Sequence, residues 1–260
     1  MQHVGEALIG SAGRKAPQDL NIEDVRRAFN SWGHLARTTV YKRATLMRRM
    51  LKDLREEYPT IPRLWHAVPR VKQAPPRDVT ITEEERSKLL AAARPHMQLL
   101  ILLCSDLAIR SGTASKLAPQ HYDRKMRTLT FTTKYDARMC LPVTRKIEAL
   151  IDECLDRGDP LTPFVFTLNP RGHVHTHNLR AGFRRLCRKA GIHRRIILHD
   201  LRRTTAVRVL DITKDVRQVQ AALGHSNLLS TMHYLDHRLA TVSRDLLENA
   251  SHLPMEETIQ

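Results

Sequence analysis

The sequence predicts a mainly α-helical protein with one small antiparallel β-sheet, divided into a small N-terminal helical domain and a larger domain after it. Three observations carry this. Apolar residues recur at helical spacing along most of the 260 residues. Two short alternating runs, 127–133 and 138–143, flank a turn around 134–137. Pro59, Pro62, Pro69, Pro75 and Pro76 interrupt the helical pattern between the two domains. The apolar share of 42% is enough for a real core and excludes a chain that is disordered throughout.

Residues 1–20 lack periodicity and are expected to form a flexible N-terminal arm. Asn21 is expected to cap a short helix from Ile22, with Glu23 and Asp24 at its positive end. Thr38 or Thr39 opens a longer helix, in which Val40, Leu46, Met47, Met50, Leu51, Leu54 and Tyr58 keep a helical period. Lys42, Arg43, Arg48, Arg49 and Arg55 crowd its other faces. Residues 21–58 therefore read as a small helical unit with a buried stripe and a basic exterior. Residues 59–79 read as a basic, proline-rich linker holding Arg63, Arg70, Lys72 and Arg77. A solvated connector and a segment crossing a nucleic-acid backbone fit it about equally.

The larger domain is expected over 80–260. Thr82-x-x-Glu85 is a capping box that starts its first helix. A second helix is expected around Met97–Leu107, and further helices near 144–156, 177–190, 200–210 and 214–223. Gly224 stands where a helix-terminating glycine belongs. Residues 227–235 restart a helix and 239–249 form a final one.

The net charge is +16 and the isoelectric point about 10.3, a field that favours a polyanionic partner. The excess is spread: residues 1–79 hold 15 Lys and Arg against 8 Asp and Glu, and the remainder 28 against 19. Such spreading suits a protein that surrounds its ligand. No apolar run is long enough to cross a membrane, and the N-terminus does not read as a signal peptide, so a cytoplasmic location and no membrane partner are expected. Cysteines at 104, 140, 154 and 187 form no C-x-x-C pair and are expected as reduced, mostly buried thiols. His173, His175 and His177 alternate without a nearby carboxylate or cysteine, so a polar loop is expected there and no metal site.

Several polar residues resist a structural explanation. His199 and Arg202 share a helix face in "LHDLRRTTAVRVL", beside the apolar stripe of Leu201, Val207 and Leu210. An arginine held beside a core is costly unless an anion meets it. Arg110 ends an apolar helix before the turn Ser111-Gly112, Lys134 lies in the hairpin turn, and His225 and Tyr234 follow Gly224. Together these are donors for a phosphate and one candidate nucleophile.

The order Arg110, Lys134, His199-x-x-Arg202, Leu-Gly-His225 and Tyr234 resembles the tyrosine recombinases, also called the phage integrase family. Lys134 stands eight positions before Pro142, as in the family's hairpin motif. "HDLRRT" is similar to the family's "HxLRHT" pattern, and "LGHSNLLSTMHY" to "LGHSxxxTTxxY". The resemblance spans about residues 80–240. Thr113 departs from it, standing where the family usually has an acidic residue, and "SDLAIRSG" lacks the usual glycine before the arginine.

The resemblance implies a catalytic domain of tyrosine-recombinase type preceded by a shortened core-binding domain. It implies a site-specific recombinase or integrase that cleaves and rejoins DNA through a 3′-phosphotyrosyl link, with no metal, ATP or other cofactor. Arg110, Lys134, His199, Arg202, His225 and Tyr234 are its expected catalytic residues. Arg37, Lys42, Arg43, Arg63, Arg70, Lys72 and Arg77 are the expected DNA-binding residues. The partners implied are a specific double-stranded DNA site and further copies of the chain, from dimer to tetramer. A DNA-binding homologue with impaired catalysis, a type IB topoisomerase-like enzyme and a basic RNA-binding scaffold are the competing readings.

Overall fold

The computed structural model describes residues 2–13, 15–75, 77–133, 138–157, 161–169 and 176–225, and beyond them 228, 231, 232 and 235. The chain divides into two compact units, Met1–Pro76 and Arg77–Gln260.

In the first unit, α1 spans Gln2–Ala12, α2 Ile22–Asn30 and α3 Arg37–Glu57. The start of α2 follows from the sequence: the Asn21 side chain accepts from Asp24 N at 3.1 Å, and Asp24 accepts from Asn21 N at 3.1 Å. Asp24 is fully buried, and the ammonium of Lys15, 2.8 Å away, offsets much of the cost of burying its charge. Val25, Ala28 and Trp32 pack against Ala44, Met47 and Leu51 of α3.

Two expectations change here. Residues 1–20 are not a structureless arm, because α1 places Val4 in this core at 2% exposure. The proline-rich stretch is not an extended connector along its whole length. Ile61, Leu64 and Val68 are core residues, and Leu64–Ala67 form a 3-10 turn. The physical reason lies on α3, whose basic residues bind the carbonyls that prolines leave outside regular structure. Arg55 donates to Ile61 O at 2.8 Å, Arg48 to Val68 O at 3.2 Å and to Pro69 O, and Arg37 to Lys72 O at 3.3 Å.

The second unit opens with α4, Glu83–Ala92, capped by the Thr82–Glu85 box. The apolar α5, Pro95–Ser105, is buried almost all round, and α6, Ser111–Ala114, is a single turn after it. The sheet has order β1-β2-β3, with β1 at Tyr122–Asp123, β2 at Thr128–Thr132 and β3 at Arg138–Pro142. Both pairings are antiparallel; in β2–β3, Leu129 faces Leu141 and Phe131 faces Met139. The alternation buries Leu129 and Phe131 while Thr128 and Thr130 turn to the other face. β1 is too short to announce itself by alternation.

Then follow α7, Arg145–Asp156, the one-turn α8, Phe164–Thr167, and α9, Thr176–Lys189. α10, Leu198–Thr213, packs on α5, and α11, Val216–Leu223, ends at Gly224 with φ 59°. Leu228, Thr231, Met232 and Leu235 are helical; the rest of the expected 227–235 helix, the 239–249 helix and His173 and His175 lie outside the described residues. Cys104, Cys154 and Cys187 are buried and Cys140 is exposed on β3. Among the described residues no helix is long and apolar enough to cross a membrane.

Candidate active site

The site is built on α10. Its first turn is capped by the Asp200 carboxylate, which accepts from Ile197 N at 2.9 Å. Asp200, Arg202, Arg203 and Thr204 are all buried, an unusual polar density for a helix packed on a core. Each has a partner. Asp200 receives Arg77 Nη2 at 3.0 Å, Arg203 reaches Asp78 at 2.8 Å, and Thr204 Oγ1 accepts from Ile81 N at 2.8 Å. Residues 77–81 are thus fastened along the helix that carries His199 and Arg202.

Arg202, 3% exposed, reaches into the protein. Its Nη1 donates to Ala108 O and its Nη2 to Leu223 O at 2.6 Å, and Nη2 lies 3.0 Å from His225 Nε2. Its planar fork therefore joins the turn before Arg110 to the end of α11, as a flexible ammonium could not. Ala108 turns its carbonyl inward by adopting φ 51°, a left-handed conformation that favours glycine. Alanine takes this conformation within "SDLAIRSG", the stretch that lacks the usual glycine before the arginine.

Arg110 follows at the start of α6, half-buried, with its carbonyl accepting from Thr113 N and Ala114 N, both at 2.8 Å. Ile109 N donates to Leu103 O at 2.9 Å, tying the turn to α5. The main chain around Arg110 is thus held by hydrogen bonds in which the Thr113 side chain takes no part. Arg110, Arg202, Phe131, Thr133, Met139 and Leu223 line one concavity, so the sheet, the Arg110 turn and the end of α11 meet there.

Gly224 joins α11 to His225. A Cβ on it would fall 2.6 Å from Met139 Sδ, so the glycine allows β3 to approach this corner closely. His225 is buried, its Nδ1 lies 2.9 Å from Thr231 Oγ1, and burial, with Arg202 next in weight and then Arg110 and His199, lowers its pKa to about 4. His199 keeps an exposed surface, yet the protein packed around its ring and then the charge of Arg202 lower its pKa from the ordinary 6.5. Both imidazoles are neutral at neutral pH.

The fold thus brings Arg110, His199, Arg202 and His225 into one neighbourhood. Lys134 and Tyr234 lie outside the described residues; the flanks of the hairpin that holds Lys134 border the concavity. Arg37, Lys42, Arg63, Arg70 and Lys72 are exposed on the first unit, while Arg43 is half-buried and stacks on Trp32 with its guanidinium 5.7 Å from the ring centroid. Arg77 differs from expectation: its guanidinium is engaged by the Asp200 carboxylate and the Arg195 carbonyl, because Asp200 is buried and needs a cation. Sequence reasoning missed Ala108 O, Leu223 O and Thr231. Two act through backbone carbonyls, which no side-chain pattern records, and a lone threonine carries no signal.

This mainly helical domain with a three-stranded antiparallel sheet has the fold of a tyrosine recombinase catalytic domain. The chain belongs to the phage integrase family, whose family model matches residues 80–240. It is 28% identical to tyrosine recombinase XerC of Bacillus licheniformis, over 96% of this chain and 86% of that protein. It is 24% identical to XerC of Erythrobacter litoralis, over 80% and 71% respectively. Among solved structures, a lambda integrase dimer bound to a COC′ core site matches with TM-score 0.68 and 17% identity, covering 94% of this chain and 73% of that one. XerH recombinase bound to difH substrate, in a pre-cleavage complex, matches with TM-score 0.65 and 20% identity, covering 91% and 71%.

Proposed function

We propose that this protein is a site-specific DNA recombinase in which Tyr234 attacks the scissile phosphodiester. The observation that carries this reading is the convergence of Arg110, His199, Arg202 and His225 on one corner, next to the hairpin of Lys134. In the cleavage step a bond forms between the Tyr234 phenol oxygen and phosphorus, and the bond to the 5′-oxygen breaks. The products are a 3′-phosphotyrosyl link and a free 5′-hydroxyl. A phenol with a pKa near 10 is ionised about once in a thousand molecules at neutral pH, so full ionisation costs about 4 kcal/mol. His199, neutral and next to two arginines, takes the phenol proton. Arg110 and Arg202 bind the non-bridging oxygens, and their grip tightens as negative charge grows. Lys134 gives a proton to the departing 5′-oxygen.

His225 has a different part from the one its sequence position suggests. Its Nε2 faces the donor Nη2 of Arg202, so it acts on the phosphate through that arginine. The covalent link conserves the phosphodiester energy, and a 5′-hydroxyl from a second duplex completes the exchange without ATP. Exchange between two duplexes calls for at least a dimer, and for a tetramer in the arrangement the family resemblance implies. The exposed cations Arg37, Lys42, Arg63, Arg70 and Lys72 bind the DNA backbone. The protein acts in the cytoplasm, on the nucleoid. The relatives named as tyrosine recombinases favour this reading over a topoisomerase-like enzyme or an impaired homologue.

The test uses a library of nicked suicide duplexes of random sequence in EDTA, with denaturing electrophoresis. A covalent protein–DNA adduct is expected for the wild-type chain and its loss for Tyr234→Phe. No adduct across the library overturns the recombinase reading; an adduct that survives Tyr234→Phe overturns the choice of nucleophile.

A further inference from the structure

Three polar side chains on one edge of α10 fasten it to its neighbours. Arg202, Thr205 and Arg208 are three apart, so they share a helix edge. Arg202 donates to Ala108 O, Thr205 Oγ1 to Ser105 O at 2.5 Å, and Arg208 Nη2 to Glu83 Oε2 at 2.9 Å. Arg86 of α4 joins the last two contacts. Its Nη1 donates to Glu83 Oε1 at 2.9 Å, its Nε to Ser105 Oγ at 3.2 Å and its Nη2 to Asp106 Oδ1 at 2.6 Å. Ser105 Oγ donates to the same Asp106 oxygen at 2.7 Å. The mechanism above uses none of Arg86, Ser105, Asp106 and Thr205.

Asp106 stands where α5 ends and the turn to Arg110 begins. Ala108 holds φ 51° in that turn, a conformation that persists only where its surroundings fix it. One fixing contact, Arg202 to Ala108 O, belongs to the phosphate clamp itself. The Arg86–Asp106 pair fixes the start of the turn from another side. Leu107, Ala108 and Arg110 line the concavity, whereas Arg86, Ser105 and Asp106 are not among its described lining residues. The side chains of Arg86 and Asp106 are each 16% exposed. An ion pair buried to this degree adds little net stability, since desolvation offsets the attraction. What it adds is direction: all three guanidinium nitrogens are bonded, so the carboxylate is held in one orientation.

We propose that Asp106, gripped by Arg86, is a positioning residue for strand cleavage: it anchors the turn of Arg110 to α4 and α10 and so sets the spacing of Arg110 and Arg202. This rests on the recombinase reading above. The two arginines sit on different elements, one after α5 and one on α10, and a phosphate must meet both at once. Arg202 bridges the elements on the side of the concavity. The contacts of Thr205 and of Glu83, Arg86 and Arg208 bridge them again at Ser105 and Asp106. Two bridges along one helix edge fix the angle of the turn as well as its distance.

The test separates positioning from stability with the double variant Arg86→Met, Asp106→Leu, which removes both charges and leaves neither buried alone. Replacing a buried ion pair by apolar side chains is often neutral for stability, so its denaturant midpoint is expected to stay near that of wild type. Hydrogen exchange in the DNA-free protein reads the turn through the Ile109 amide, which donates to Leu103 O at 2.9 Å. That amide is expected to exchange at least about 10-fold faster in the double variant, while the amides of α9 keep their rates. The variant is expected to bind DNA within about 3-fold of wild type yet to form adduct about 10-fold to 100-fold more slowly, as a small misplacement of a reacting group would give. Asp106→Asn keeps the shape and an acceptor oxygen, so its exchange and cleavage should fall between the two, and it carries the comparison if the double variant does not fold. An unchanged Ile109 amide overturns the proposal, as does wild-type cleavage in a variant whose turn has loosened. A cleavage loss that only follows the denaturant midpoint overturns it too. Absence of adduct from wild-type protein, with the Ile109 amide responding as expected in the variants, overturns the recombinase reading instead.

Discussion

Arg202 donates through Nη2 to the carbonyl oxygen of Leu223 at 2.6 Å, binding the second turn of α10 to the last residue of α11. The same guanidinium reaches Ala108 O and His225 Nε2, so one side chain sets the distance between three segments of the site.

Arg202→Lys tests that role. An ammonium is a point charge on a flexible stem and cannot span three acceptors in one plane. Two buried carbonyls lose a donor, which costs about 1–3 kcal/mol each in the worst case. The variant is expected to lower the denaturant midpoint and to reduce adduct formation at least 100-fold, or about 2.7 kcal/mol of barrier. A lysine variant that cleaves within a few-fold of wild type contradicts the clamp.

The histidines give the site a pH signature. Burial lowers the pKa of His225 to about 4, against 6.5 in an unfolded chain. As pH falls through 6.5 the unfolded chain gains a proton that the native protein does not take up. The stabilisation is therefore complete above about pH 6.5, declines between 6.5 and about 4, and levels off below, at a cost on the order of 3 kcal/mol. His225→Asn is expected to flatten the denaturant midpoint across that window. His199, shifted in the same direction, places the acid limb of cleavage below its ordinary 6.5, so the rate at pH 7 should sit on a plateau. An acid limb centred above 6.5 contradicts a base of this kind.

Gly224→Ala introduces two faults at once. Its φ of 59° costs a residue with a Cβ about 1–2 kcal/mol, and that Cβ meets Met139 Sδ at 2.6 Å. The thioether can bend away, so the expected loss of stability is about 1–3 kcal/mol. The displacement falls on β3, and cleavage should drop as the hairpin of Lys134 shifts. Met139→Ala in the same chain should restore part of the stability by opening space. Additive losses in the double variant contradict the steric account.

Much of this was legible in the sequence. Asn21, Thr82 and Gly224 mark element ends through local chemistry, and each does so in the structure. His199 and Arg202 were readable as one helix face. The errors have a common cause. Val4, Ile61, Leu64 and Val68 join a core through contacts distant in sequence, and no local period announces them. β1 and α8 are too short for a periodic signal. The anchoring of Arg202 depends on carbonyls at 108 and 223, which any residue type could supply.

Arg77 separates charge that holds the fold from charge offered to DNA. The sequence places it with the basic linker, but its guanidinium lies on the Asp200 carboxylate at 3.0 Å. Arg77 is about a third exposed, so the pair is worth only about 1 kcal/mol after solvent screening. Removing it also leaves the buried Asp200 with fewer donors at the cap of α10, the helix of His199 and Arg202. Arg77→Ala is therefore expected to lower stability by about 1–2 kcal/mol. It should leave the salt dependence of DNA binding nearly unchanged. Lys42→Ala or Arg70→Ala, exposed on the first unit, should do the reverse, reducing the slope of log K against log salt by about 1 with little change in melting. Filter binding across a salt series, with thermal unfolding of the same preparations, decides the matter. A slope that falls for Arg77→Ala as it does for Lys42→Ala returns this arginine to the DNA interface.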